Sequence, residues 1–123
     1  MKKIKILIVE DEYLIAQALK MDLEKYGFKI CGIVDGGAEA IMAVPKMKPD
    51  LILMDIQLSN HIDGVSAAEA IISHQYIPII FMTGFDKKEY LERITKINPI
   101  AFLQKPVEIA NLKSVISNSF NGI

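Results

Sequence analysis

Asp55 closes an unbroken apolar run, Leu51-Ile52-Leu53-Met54, and apolar Ile56 follows it. Pro49-Asp50 and Ser59-Asn60 bound the run, so it reads as a strand buried on both faces. A carboxylate at the end of a buried strand is costly unless its charge is put to use. It is either a reactive group or a cap on the loop leaving the strand. Other apolar runs end in similar company. Ile4 to Val9 stops at Glu10-Asp11-Glu12, Ile77 to Met82 stops at Thr83, and Ile100 to Leu103 leads into Gln104-Lys105-Pro106. In a doubly wound sheet these ends converge on one rim, where open α/β folds bind ligands. Three carboxylates, from Glu10, Asp11 and Asp55, would then repel one another unless a cation or shared protons compensate. Hard oxygen donors with no histidine or cysteine in the set favour Mg²⁺ or a similar ion. Lys105 adds a positive point charge and Thr83 a hydroxyl donor. That combination suits a phosphoryl group, whose negative charge is spread over its oxygens.

The elements that must position these residues alternate along the chain. The first strand is followed by a helix with Leu14/Ile15, Ala18/Leu19, Leu23 and Tyr26 at helical spacing, stopped by Gly27. Ile30 to Val34 is a second strand, and Asp35-Gly36-Gly37 a turn. A short helix follows with Ala38, Ile41 and Met42 on one side, which Pro45 should distort or end. Beyond the Asp55 strand, Asp63 is placed to N-cap a helix carrying Val65, Ala68, Ile71 and Ile72. The fourth strand spans residues 77–83, with Pro78 tolerable only at its start. Residues 86–97 read as a helix with Tyr90, Leu91, Ile94 and Ile97 apolar. A short fifth strand over residues 100–103 precedes a last amphipathic helix with Ile109, Leu112, Val115/Ile116 and Phe120. Strand then helix, five times over, predicts a parallel sheet with helices on both faces.

Composition narrows the function classes. A chain of 123 residues, 51% hydrophobic and 24% charged, has the size and balance of one soluble domain with one core. A net charge of −1 with no basic stripe gives this domain no footprint for binding nucleic acid by itself. Cys31 has no partner for an internal disulfide and sits in an apolar stretch, which fits a core position and a reducing cytoplasm. Charges at Lys5 and at residues 10–12 rule out a signal peptide at the start. The longest uncharged apolar stretch, residues 76–85, is too short to span a membrane. His61 and His74 have no companions at metal-ligand spacing and read as surface residues. The six methionines read mostly as core packing.

The chain resembles the receiver domain of two-component response regulators over essentially its whole length, residues 1–123. The resemblance is carried by Ile6-Leu7-Ile8-Val9-Glu10-Asp11-Glu12, by the run from Pro49 to Ile56, by Pro78 to Gly84, and by Lys105-Pro106. Each motif alone is weak; in this order, on a five-fold βα pattern, they are specific. The resemblance implies a flavodoxin-like α/β fold: one doubly wound, five-stranded parallel sheet in the order 2-1-3-4-5, with five helices. It implies that Asp55 accepts a phosphoryl group from a histidine kinase or phosphotransfer protein. It implies that Glu10, Asp11, Asp55 and the backbone carbonyl of Gln57 hold Mg²⁺, for which Mn²⁺ can substitute. Lys105 would contact the phosphoryl group, with the Lys105–Pro106 bond cis. Thr83 would be the switch hydroxyl and Phe102 the aromatic that follows it. The change would surface on the face formed by the fourth helix, fifth strand and last helix, where a downstream protein or a second copy binds.

The chain departs from the family pattern at three points. Glu10 stands where aspartate is common. The loop from Leu58 to Gly64 lacks the usual proline and is one residue longer. Gly84 replaces a small side chain and should leave the approach to Asp55 more open. Two rival functions fit less well. An interaction module freed of phosphorylation need not keep the acids, Thr83 and Lys105. A phosphohydrolase of the haloacid dehalogenase type needs an acid two residues after the nucleophile, and Gln57 stands there. The expected protein is therefore a phosphoacceptor switch that assists its own phosphorylation and dephosphorylation and turns over no outside substrate.

Overall fold

β-branched and apolar runs make five strands, and the computed structural model orders them β2-β1-β3-β4-β5, all parallel. The structure describes residues 2–59, 61–84 and 87–121. The strands are β1 Lys5–Val9, β2 Lys29–Val34, β3 Leu51–Asp55, β4 Ile79–Thr83 and β5 Ala101–Gln104. The helices are α1 Tyr13–Lys25, α2 Gly37–Met47, α3 Gly64–Ile72, α4 Leu91–Ile97 and α5 Ile109–Asn121. Strand alternation divides the core in two. Leu7, Val9, Ile52, Met54, Ile79 and Phe81 face α2, α3 and α4, whereas Ile6, Ile8, Leu51, Leu53, Ile80 and Met82 face α1 and α5. Every residue of β3 and β4 is buried, as the unbroken apolar runs predict. Among the described residues, no helix is long and apolar enough to cross a membrane.

Several local expectations are corrected. Pro45 does not end α2, which runs on to Met47. Pro45 lies in the last turn, so its missing N–H costs the helix one ladder bond, to the carbonyl of Ile41, and Lys48 closes the helix in the left-handed region (φ 50°). The buried face of α2 is Gly37, Ala40, Ala43 and Val44; Ala38 and Met42 are exposed. In α1 the buried residues are Ala16, Leu19 and Leu23, while Leu14, Ala18 and Tyr26 are exposed. Leu19 and Leu23 mark the buried stripe of α1 as expected, whereas the buried face of α2 is mostly glycine and alanine, with Val44 its largest member. The helix expected over residues 86–97 is a 3₁₀ turn at Lys87–Glu89 and then the short α4; residue 86 lies outside the described residues. Met54 and Met82 are core and Met47 packs against it, while Met21 and Met42 are exposed, so three of the five described methionines pack as expected. Cys31 is half-buried at the edge strand β2, with its thiol 3.4 Å from the carbonyl of Ile6.

Asp63 caps α3 as expected, accepting a hydrogen bond from Ser66 N at 2.7 Å. Its carboxylate also meets Arg93 of α4 at 3.3 Å, and Arg93 donates further to Ser66 Oγ at 2.8 Å and Glu69 at 3.1 Å. One guanidinium thus fastens α4 across the first two turns of α3. The Ser66 amide and this guanidinium outweigh burial and hold the Asp63 carboxyl below its ordinary range.

Candidate functional site

Among the described residues, the buried polar side chains are Glu10, Asp55 and Thr83, and all three stand at the carboxyl rim of the sheet. Each is set there by the strand before it. Glu10 N extends the β1–β2 ladder to Val34 O at 3.0 Å, and Ile56 N, just past Asp55, bonds Met82 O at 3.0 Å. Lys105 N bonds Thr83 O at 2.7 Å, and the Lys105–Pro106 peptide is cis. Alternation along β3 puts Asp55 on the α1/α5 face with Met82, its partner across the ladder. Thr83 falls on the opposite face with Phe81.

Carboxylate oxygens of Glu10, Asp11 and Asp55 lie within 4.8 Å of one another. Lys105 Nζ sits between two of these groups, 2.7 Å from Glu10 Oε2 and 3.0 Å from Asp55 Oδ2. The remaining oxygens are held by backbone: Glu12 N donates to Glu10 Oε1 at 3.1 Å and Gln57 N to Asp55 Oδ1 at 3.2 Å. Ser59 ties down Asp11 through its N–H at 3.1 Å and through its hydroxyl. Loss of solvent drives the Asp55 carboxyl up to about 6; the Lys105 hydrogen bond pulls it down, and the nearby Glu10 charge pushes it up again. Burial works against the Lys105 charge too, but the bonds to Glu10 and Asp55 outweigh it and raise the ammonium above its ordinary value.

The Asp55 carboxylate is thus held by one ammonium and one amide in a setting that disfavours its charge. Three acids and no nitrogen or sulfur donor suit an oxygen-seeking dication such as Mg²⁺. A divalent ion here relieves the repulsion that Lys105 alone offsets only in part.

The structure brings together Glu10, Asp11, Asp55 and Lys105. Thr83 stands apart from this charged group and donates instead to the side-chain carbonyl of Gln57 at 2.7 Å. Phe102 is paired with Phe81 on β5, two residues before Gln104, the partner of Thr83, and packs against the α2/α3/α4 core. His61 and His74 are exposed and lie outside the acidic cluster.

Four residues of the site went unnoticed in the sequence: the side chain of Gln57, Ser59, Gly64 and Tyr90. A Cβ on Gly64 would stand 2.1 Å from the carbonyl oxygen of Asp55, so only glycine lets α3 start against the backbone of Asp55. The Asp63-Gly64 pair was the available signal: a capping acid followed by a residue with no side chain. At Gly84 a Cβ would meet nothing within 4 Å, so its lack of a side chain is not imposed by packing.

A doubly wound five-stranded parallel sheet in this order, with acids and a lysine at its carboxyl rim, is the architecture of a receiver domain. The chain belongs to the response regulator receiver domain family of two-component signalling, whose family model matches residues 6–117. It is 36% identical over 108 residues to the transcriptional regulatory protein PdtaR of Mycobacterium tuberculosis, covering 88% of this chain and 52% of that protein. The phyllosphere-induced regulator PhyR of Methylorubrum extorquens is 33% identical over 115 residues, covering 93% and 42%. Among solved structures, the signal receiver domain of a modulated diguanylate cyclase from Desulfovibrio desulfuricans G20 superposes with a TM-score of 0.90 at 35% identity, covering 98% of this chain and 96% of that one. The chain spans about half the length of the curated relatives it matches.

Proposed function

We propose that residues 1–123 form one receiver domain in which Asp55 is the phosphoacceptor, charged by a histidine kinase or a phosphotransfer protein in a Mg²⁺-dependent reaction. The observation that carries this reading is the buried Asp55 carboxylate with Lys105 Nζ at 3.0 Å and the oxygens of Glu10 and Asp11 within 4.8 Å. Asp55 attacks the phosphorus of a phosphohistidine; an O–P bond forms, the P–N bond breaks, and the donor imidazole leaves with the electron pair. Glu10, Asp11, Asp55 and the backbone carbonyl of Gln57 would hold Mg²⁺ or Mn²⁺. When bound, the metal offsets charge on the phosphoryl oxygens. Lys105 then turns from Glu10 and Asp55 toward a phosphoryl oxygen, a short move for an ammonium already in the site.

Thr83 supplies a hydroxyl to the phosphoryl group, and Phe102 takes the space it leaves. The change emerges on the α4–β5–α5 face, which binds a downstream protein or a second copy. The domain works in the cytoplasm, touches no DNA or membrane itself, and has no outside substrate. Incubation with a small acyl phosphate and Mg²⁺ tests the core of this. One phosphoryl group should add, be lost in mild base, and fail to add to Asp55→Asn. Full labelling of that variant overturns the assignment.

A further inference from the structure

We infer that the side chain of Gln57 is a latch that holds the switch hydroxyl and the entry to α4 in the unphosphorylated arrangement. The inference rests on the phosphoacceptor reading of Asp55 and extends it to a residue so far given only a backbone role. Gln57 touches Asp55, Thr83 and Tyr90 at once. Its main-chain N–H donates to Asp55 Oδ1 at 3.2 Å. Its side-chain oxygen accepts from Thr83 Oγ1 at 2.7 Å and from Gly84 N at 3.4 Å. Its amide nitrogen donates to Tyr90 Oη at 3.5 Å. The amide orientation follows from chemistry: a backbone N–H can only donate, so the group facing Gly84 must be the oxygen, which leaves the NH₂ for Tyr90.

Three consequences follow. First, Thr83 is committed before any phosphoryl group arrives. Its hydroxyl has one proton, and that proton is given to Gln57. A phosphoryl oxygen on Asp55 must therefore win Thr83 away from an existing bond, and the strength of that bond enters the balance between the two states. Second, Thr83 and Asp55 lie on opposite faces of the sheet, and Gln57 spans the edge between them. Third, the same amide reaches Tyr90, the residue immediately before α4. Release of Thr83 frees the amide to turn, and turning it breaks the Tyr90 contact. The entry to α4 is thus linked to Asp55 by a route that does not pass through Phe102. The contact at 3.5 Å is long, so Tyr90 is the weaker of the two grips.

The experiment is NMR on the full chain with labelled threonine methyls and aromatic rings, with and without beryllofluoride and Mg²⁺. Gln57→Met keeps the length and apolar stem of the side chain but neither accepts nor donates strongly. In the ligand-free variant the Thr83 methyl and Tyr90 ring resonances should move part of the way toward their positions in the beryllofluoride-bound wild type. Beryllofluoride should bind about 3- to 10-fold tighter, the weight of one hydrogen bond released in advance. Tyr90→Phe should move the Tyr90-side resonances and tighten binding less than twofold. If Gln57→Met leaves the Thr83 methyl and the beryllofluoride affinity unchanged while the wild type binds, the latch is wrong and the phosphoacceptor reading stands. If the wild type neither binds beryllofluoride nor labels with acyl phosphate, the phosphoacceptor reading falls and takes the latch with it.

Discussion

Asp55 has two unlike flanks. On the α1/α5 side it meets full charges: Lys105 at 3.0 Å, with buried Glu10 sharing the same ammonium at 2.7 Å. Toward α3 and α4 it meets a neutral chain, Gln57 to Thr83 and Tyr90, built from an amide and two hydroxyls. The energies differ accordingly. Charged, desolvated contacts are worth several kcal/mol and set whether Asp55 is ionised and can react. Neutral hydrogen bonds are worth about 1 kcal/mol net, so they can exchange partners without endangering the fold. On the proposed reading the charged flank performs the chemistry, and the neutral flank reports that it has happened. A signalling domain needs both, and the sheet keeps them on opposite sides of one strand end.

The sharpest way to break this division is to remove the ammonium. Lys105→Ala leaves Glu10 and Asp55 buried without a counter-charge, which should cost on the order of 2–4 kcal/mol at pH 7 without metal, read by chemical denaturation. Because the Lys105 bond lowers the Asp55 pKa, its loss should push Asp55 above about 6 and shift the pH dependence of acyl-phosphate labelling upward. An unchanged labelling profile would show that Lys105 does not govern the ionisation of Asp55.

Next comes the carboxylate itself. A carboxyl whose pKa rises on folding binds its proton more tightly in the folded state. The metal-free protein should therefore lose stability as pH rises from about 4, the unfolded value, to about 6. The loss should be on the order of 1–3 kcal/mol and should vanish in Asp55→Asn, which should melt higher than wild type at pH 7. Thermal melts across that pH range, without Mg²⁺, decide it.

On the neutral flank, Thr83→Ala should leave labelling at Asp55 within a few-fold of wild type but abolish most of the hydrogen-exchange change at Phe102 and along residues 87–97. A full change in the variant would remove Thr83 from the relay. The smallest effect is expected at the rim of the charged flank. Ser59 holds Asp11 with two hydrogen bonds, and Ser59→Ala removes one of them. Mg²⁺ should then bind about 2- to 5-fold tighter by calorimetry, since a carboxylate less committed to the protein is freer to take the ion.

The same contrast explains what the sequence made legible. Glu10, Asp55, Thr83 and Lys105 each follow an apolar run, so the strands that place them also advertise them, and the 2-1-3-4-5 sheet came with the family resemblance. The neutral flank carries no such mark. Gln57–Tyr90 and Ser59–Asp11 join residues 33 and 48 positions apart through loops, where neither periodicity nor apolar runs set the spacing. Buried helix faces are only partly legible for a related reason: Leu19 and Leu23 mark the face of α1, but Ala16, Ala40 and Ala43, also buried, are too small to dominate a hydrophobic pattern. Residues 86–97 read as one helix because Tyr90 and Leu91 look periodic, yet Tyr90 stands just before α4 and Leu91 is exposed.

The fork of Arg93 has a consequence for how the output behaves in a cell. A helix of seven residues with only Ile94 and Ile97 buried does not stand by itself. Much of what seats α4 is therefore the guanidinium reaching Asp63 and Glu69 across side chains that are more than a third exposed. Such pairs are screened by salt, whereas the sheet and the partly buried contacts of Lys105 are screened much less. On the proposed reading the output helix thus rests on exposed ion pairs, while the input site rests on partly buried ones. Raising ionic strength should loosen the readout and leave the phosphorylation chemistry nearly untouched, so the gain of the switch is set by its surroundings and its trigger is not.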